Sequence, residues 1–199
     1  MKVSYQEPTL IFIYSAKNLG KGGAVRRGTL VARGDMILFV DADGATKFSD
    51  LEKLETNLRG IKSSNSHALV CGSRAHLEKD SIAERSVFRT ILMKGFHMCV
   101  WLFGCKSIQD TQCGFKLMTR ETARIVFHSL HIERWAFDVE LIKIAERLDI
   151  PTAEVGVNWT EIEGSKLNPI TASIQMFKDL FFLWLRYFVG AWRIVEKKE

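Results

Sequence analysis

The spacing of apolar and polar positions changes several times along the chain, and each change marks an element. Thr9-Leu-Ile-Phe-Ile-Tyr14 is a short run of β-formers, followed by a glycine-rich turn at Gly20, Gly22 and Gly23 and then by the helical spacing of Val25, Leu30 and Val31. Met36-Ile-Leu-Phe-Val40 shows no polar alternation and reads as a strand buried on both faces. Leu51, Leu54 and Leu58 form one stripe of a helix beginning near Ser49, with Asp50 near its start, where a negative charge suits the helix dipole. Ala68 to Cys71 reads as a third strand, ending at Gly72-Ser73-Arg74. Further on, Gly114 to Met118 reads as a strand, Glu121 to Leu130 as a short helix, and Phe137, Leu141, Ile144 and Leu148 as the face of another helix. Ala153, Val155, Val157 and Trp159 alternate as a half-buried strand should. Strands and helices alternating at this spacing predict an α/β domain with a mainly parallel sheet flanked by helices. In such sheets ligands bind outside the carboxyl ends of the strands, where Asp41, Asp43 and Arg74 fall.

Two stretches are more apolar than one buried face requires. Val87 to Phe103 is apolar almost all round and reads as a buried helix or as one lying in a membrane interface. Between Ile170 and Val195, aromatic and aliphatic residues such as Phe177, Phe181, Trp184 and Trp192 are interleaved with Lys178, Arg186 and Arg193. That mixture favours an interfacial membrane helix over a plain core helix. Arg186 and Arg193 interrupt the apolar runs well before the roughly 20 residues a bilayer span needs. Met1 to Gln6 lacks a basic region leading into an apolar core, so no secretory signal is read there. The expected organisation is an α/β domain over 1–168 and an amphipathic helical segment over 169–199.

Composition narrows the classes further. With 199 residues, 47% hydrophobic and 26% charged, and no low-complexity tract or internal repeat, the chain is globular. Its net charge of +5 is accompanied by apolar surface and matches no nucleic-acid motif, so no nucleic-acid partner is expected. Cys71, Cys99, Cys105 and Cys113 form no Cys-x-x-Cys pair, which argues against a zinc site and a disulfide framework and makes a reducing compartment the default. His128 and His131 lack a third ligand nearby and read as structural or surface residues. Asn158-Trp-Thr160 matches the N-glycosylation pattern, but without a signal it reads as an unmodified strand residue. No nucleophile elbow or Cys/His signature supports covalent hydrolysis.

The sharpest chemistry is Asp41-Ala-Asp43-Gly44, two carboxylates one residue apart directly after an apolar strand. Hard oxygen ligands in that position suit Mg²⁺ or Mn²⁺ bridging phosphate oxygens; a solvated turn is the plain alternative. Lys17-Asn-Leu-Gly-Lys-Gly-Gly23 is not a Walker P-loop, because the first glycine is missing and Gly22 stands where Ser or Thr should follow Lys21. A glycine-rich helix start can still approach a phosphate, and Lys17, Lys21, Arg26 and Arg27 make the region basic; a plain turn with a solvated helix face explains it equally. Arg74, Arg85 and Arg89 offer bidentate groups for phosphate, or partners for Glu78, Asp80 and Glu84.

Taken together, the segments Lys17 to Ala24, Asp41 to Lys47, Cys71 to Lys79, Asp110 to Lys116, Glu133 to Leu141 and Asn158 to Lys166 resemble the dolichyl-phosphate β-glucosyltransferases, inverting family 2 glycosyltransferases of GT-A fold. The resemblance implies transfer of glucose from UDP-glucose to dolichyl phosphate at the cytosolic face of the endoplasmic reticulum membrane. It implies that Asp41 and Asp43 hold the metal and the UDP-sugar, that Lys17 and Lys21 lie on the donor side, and that Arg74 and Arg89 hold phosphate near the acceptor. Asp110, Gln112 and Lys116 would border the donor sugar. Asp138 aligns with the general base of relatives whose acceptor is a hydroxyl; a phosphate acceptor is already ionised, so here Asp138 is expected to orient groups. About the first third of the family pattern has no counterpart in this chain. That leaves two other readings: a membrane-associated protein that binds nucleotide sugar without catalysis, and a dolichyl-phosphate mannosyltransferase.

Overall fold

The computed structural model describes residues 11, 13–62, 66–77, 95, 98–160 and 169–194, with side chains in the last stretch from 174 onward. Four strands form the sheet of the described residues: β1 (Met36–Val40), β2 (Leu69–Ser73), β3 (Phe115–Thr119) and β4 (Thr152–Gly156), in the order β1-β3-β2-β4. β1 and β2 both pair antiparallel with β3, and β4 pairs parallel with β2. Three strands therefore share a direction while β3 runs against them between β1 and β2. The α/β class stands, and the sheet is mixed in its pairing, a point that apolar runs alone do not encode because they carry no strand direction.

The helices are α1 (Gly20–Val31), α2 (Leu51–Ile61, entered through a short 3₁₀ turn at Phe48–Asp50), α3 (Arg120–Ser129), α4 (Phe137–Arg147) and α5 (Pro169–Phe188). Alternation along the two central strands divides the core. Ala68 and Val70 of the β2 run, with Phe115 and Leu117 of β3, face Leu54 and Leu58 of α2. Leu69, Cys71 and Met118 point the other way, to a larger cluster with Phe127 of α3, Phe137, Leu141 and Ile144 of α4, and Leu180 and Leu183 of α5. Each fully buried side chain of this size contributes roughly 1.5–3 kcal/mol of transfer free energy. The Thr119 hydroxyl accepts from the Thr122 N–H and caps α3, worth about 1 kcal/mol.

Several expectations are refined by this arrangement. Among the described residues β1 is an edge strand, paired with β3 alone, and its residues run from exposed to buried. Ile11, Ile13 and Tyr14, the described part of the expected Thr9 to Tyr14 strand, are exposed and join no strand. The expected glycine turn is the first turn of α1. A Cβ on Gly22 would come 2.7 Å from the Ile132 carbonyl oxygen and from Phe137, so the glycines let α1 lie directly on the segment that leads into α4. Most of the Val87 to Phe103 stretch lies outside the described residues; within it, 98–103 is helical, with Val100 buried and Met98, Trp101 and Leu102 exposed. On α5, Leu180, Leu183 and Tyr187 face the core, while Ile174, Phe177, Phe182 and Phe188 are exposed. No helix of the described residues is long and apolar enough to cross a membrane.

Candidate active site

Because β3 is reversed, the carboxyl ends of β1, β2 and β4 and the amino end of β3 meet along one rim. The Asp41 N–H donates to the Gly114 carbonyl at 2.8 Å, extending the β1–β3 ladder by one residue. The Asp41 carboxylate folds over Gly114 so closely that a Cβ there would lie 2.1 Å from its Oδ2. Glycine at 114 is thus a steric requirement for the position of that carboxylate. Lys21, reaching from α1, brings its ammonium to 2.9 Å from both Asp41 oxygens. The same ammonium lies 5.5 Å from the Phe39 ring centroid and 5.6 Å from that of Trp135.

Asp43 turns back on its own loop, its Oδ1 accepting from the Ala45 N–H at 3.0 Å. This loop is fastened to the segment after β4: Thr46 bridges Trp159, the Lys47 N–H donates to the Asn158 carbonyl, and the Thr160 N–H donates to the Ala45 carbonyl. Asp50, buried under the loop, accepts from the Asn158 N–H at 2.6 Å and pairs with Lys53. Burial opposes its charge, but Lys53 and Asn158 hold its carboxyl below the ordinary aspartate range.

At the end of β2, Arg74 and Asp110 form a two-toothed pair. Nε and a terminal guanidinium nitrogen donate at 2.7 and 2.8 Å to the two carboxylate oxygens, and the Arg74 N–H donates at 2.8 Å as well. The guanidinium also lies 5.3 Å from the Trp159 ring. Glu154 of β4 fixes the Asp110 backbone by accepting from the N–H groups of Gln109 and Asp110. Burial works against the Asp110 charge and Arg74 outweighs it, so its carboxyl titrates below the ordinary range.

Behind the rim lies a further ion pair, this one buried. Lys116 of β3 is fully buried, donating at 2.6 Å to Asp138 of α4 and at 2.6 Å to the Cys113 carbonyl. Burial disfavours the ammonium, but the adjacent Asp138 carboxylate holds it above the ordinary lysine range. Asp138 also feels the charges of Lys21 and Asp41, so the two pairs form one electrostatic unit.

The structure thus brings Lys21, Asp41, Lys116 and Asp138 together, sets Asp43 in the adjoining loop, and ties Trp159, which lies against the Arg74 guanidinium, to that loop. Lys17 is exposed ahead of α1, and Gln112 points to Met176 of α5, its amide 3.8 Å from the sulfur. Arg85, Arg89 and the acidic partners considered for them lie outside the described residues. Sequence reasoning missed Trp135, Trp159, Glu154 and Glu140. Glu140 accepts from the N–H groups of His131 and Ile132 and from the Tyr187 hydroxyl, which ties α5 to the segment before α4. A charge three positions after Phe137 on an otherwise apolar helix face was the available signal. A cleft of about 810 Å³ opens beside Lys21, with Arg134, Trp135, Phe182, Arg186 and Trp192 on its walls.

Asp41 and Asp43 offer hard oxygens, and among the described residues no group of three or more His, Cys, Asp or Glu side chains could hold a metal. Such a donor set fits a cation that draws its remaining ligands from water and phosphate.

The glycosyl transferase family 2 pattern matches residues 2–124, more than half of the chain. The chain belongs to glycosyl transferase family 2. It is 61% identical over 186 residues to the dolichyl-phosphate beta-glucosyltransferase of Drosophila melanogaster, a match covering 92% of this chain and 57% of that protein. To the human protein of the same name it is 60% identical over 184 residues, covering 92% and 57%. The chain therefore spans less than two thirds of these relatives' length. A solved structure of glucosyl-3-phosphoglycerate synthase from Mycobacterium tuberculosis, in complex with Mn²⁺, UDP-glucose and phosphoglyceric acid, aligns with a TM-score of 0.47 at 20% identity, over 83% of this chain and 54% of that one.

Proposed function

We propose that this chain carries the catalytic rim of an enzyme that transfers glucose from UDP-glucose to dolichyl phosphate, giving dolichyl β-D-glucosyl phosphate for protein N-glycosylation. The observation that carries this reading is the Asp41-Ala-Asp43 turn, its first carboxylate packed over Gly114, in a chain 61% identical to a dolichyl-phosphate beta-glucosyltransferase. Asp41 and Asp43 would hold Mg²⁺ or Mn²⁺, which when bound supplies positive charge to the departing diphosphate.

The chain's own residues do the rest by position and charge. Lys21 faces the donor beside Asp41, and Lys17 lies on the approach to it. Gly114 leaves the room the Asp41 carboxylate needs. Arg74, pinned by Asp110 and stacked near Trp159, presents a fixed cation to the acceptor phosphate, with Arg89 as its companion. That acceptor is ionised at neutral pH and needs no base to attack the anomeric carbon. Asp138 is engaged with Lys116, so it orients the rim instead of taking a proton. Gln112 and Lys116 support the wall next to the donor sugar. The exposed apolar face of α5, with Arg186 and Lys178 beside it, suits the interface of the endoplasmic reticulum membrane on its cytosolic side, where a polyprenyl chain would be reached.

Binding of UDP-glucose by the purified chain, measured calorimetrically with and without Mn²⁺, tests the reading. Metal-dependent binding that is lost in Asp43→Ala is expected. Failure of the unmutated chain to bind, or a preference for GDP-mannose, overturns it.

A further inference from the structure

The Asp41 carboxylate is not open at the rim: the Lys21 ammonium lies 2.9 Å from each of its oxygens. Packing sets this ammonium in place. The first turn of α1 is fixed by the Gly23 N–H donating at 3.0 Å to the Glu133 carbonyl and by the approach of Gly22 to Ile132 and Phe137. Trp135, two residues after Glu133, and Phe39, two residues before Asp41, place their rings 5.6 and 5.5 Å from the same nitrogen. Aromatic faces favour a cation where they are partly dry.

The charges nearby can be counted. Formally, Asp41 and Asp138 with Asp43, two residues on from Asp41, carry three negative charges against the two positive charges of Lys21 and Lys116, one net negative charge. A bare divalent cation would drive that sum positive. The same cation carried by a nucleoside diphosphate arrives with at least two compensating negative charges, so the sum is not driven positive.

We propose that Lys21 is the resident counter-cation of the Asp41 carboxylate, weakening the rim's hold on a bare divalent cation so that the cation is accepted together with a nucleoside diphosphate. This rests on the reading of Asp41 and Asp43 as cation ligands given above. Lys21 is a positioning and charge-setting residue of the binding rim and takes no part in bond making.

Mn²⁺ binding to the whole chain, followed by the electron paramagnetic resonance signal of the free ion with and without UDP, tests this without turnover. Lys21→Met is expected to bind Mn²⁺ alone roughly tenfold more tightly than the unmutated chain. It should also lose most of the gain that UDP confers, while Lys21→Arg should behave as the unmutated chain. Lys21→Gln gives the same direction and serves as the second variant if Lys21→Met alters the melting curve. Equal Mn²⁺ affinities for Lys21→Met and the unmutated chain, with both abolished by Asp43→Ala, overturn the counter-cation role and leave the cation reading intact. Absence of Mn²⁺ binding in every variant, with or without UDP, overturns the cation reading and this inference with it. Tightening that persists in Lys21→Met/Asp43→Ala places the ion elsewhere and also overturns the inference.

Discussion

Replacing Lys116 by methionine tests whether the ion pair behind the rim behaves as buried charge. Lys116 is wholly inaccessible, and its ammonium has two partners at 2.6 Å, the Asp138 carboxylate and the Cys113 carbonyl. Removing the ammonium leaves a buried carboxylate without its paired counter-charge, a loss of about 3–5 kcal/mol. At about 2–4 °C per kcal/mol for a domain of this size, the melting temperature should fall by roughly 6–20 °C. Thermal and urea denaturation of Lys116→Met, Lys116→Met/Asp138→Leu and the unmutated chain provide the assay. The double variant, which removes both charges, should recover most of the loss. Lys21→Met serves as the surface control: its pair is partly exposed on both sides, and such pairs are worth about 0–1 kcal/mol. A Lys116→Met chain within about 1 kcal/mol of the original, or a double variant as unstable as the single, would refute the argument.

Two further outcomes follow from the titration of buried groups. Asp110 is held below the ordinary aspartate value of 3.8, so its pair with Arg74 contributes stability that is fully present above that value and is lost as pH falls through the lower native one. Melting curves of the unmutated chain and Asp110→Asn should differ near neutral pH and converge in acid; a gap that persists in strong acid contradicts this. Burial pushes the Cys71 and Cys105 thiols up to about 12 and Cys113 to about 11, whereas Cys99 is partly exposed. Alkylation at mildly alkaline pH, mapped by mass spectrometry, should therefore mark Cys99 in the native chain and the other three only in denaturant, and rapid native labelling of Cys71 would sink that ordering.

Periodicity located β1, the β2 run, β3 and α2 to within a residue or two, because each is written as a continuous apolar run or stripe. It could not show that β3 is reversed, since direction is settled by pairing and leaves no trace in the residues of one strand. It also gave β1 two buried faces, where the edge position leaves Met36 and Val40 exposed. The carboxylates at 41 and 43 were legible from their place after an apolar strand. The neighbours of Asp41 were not, because Lys21 and Gly114 arrive from elements distant in sequence. The pairing of Lys116 with Asp138, 22 positions apart, likewise exists only once α4 packs on the sheet.

The ring of Phe39 has ammonium groups of two kinds within 6 Å of its centroid, Lys21 at the surface and Lys116 sealed inside. Dissolved ions weaken the attraction felt by the outer group and barely reach the inner one. Of these two pairs, ionic strength therefore acts as a dial mainly on Asp41, loosening its tether while the contact between Lys116 and Asp138 stays shut.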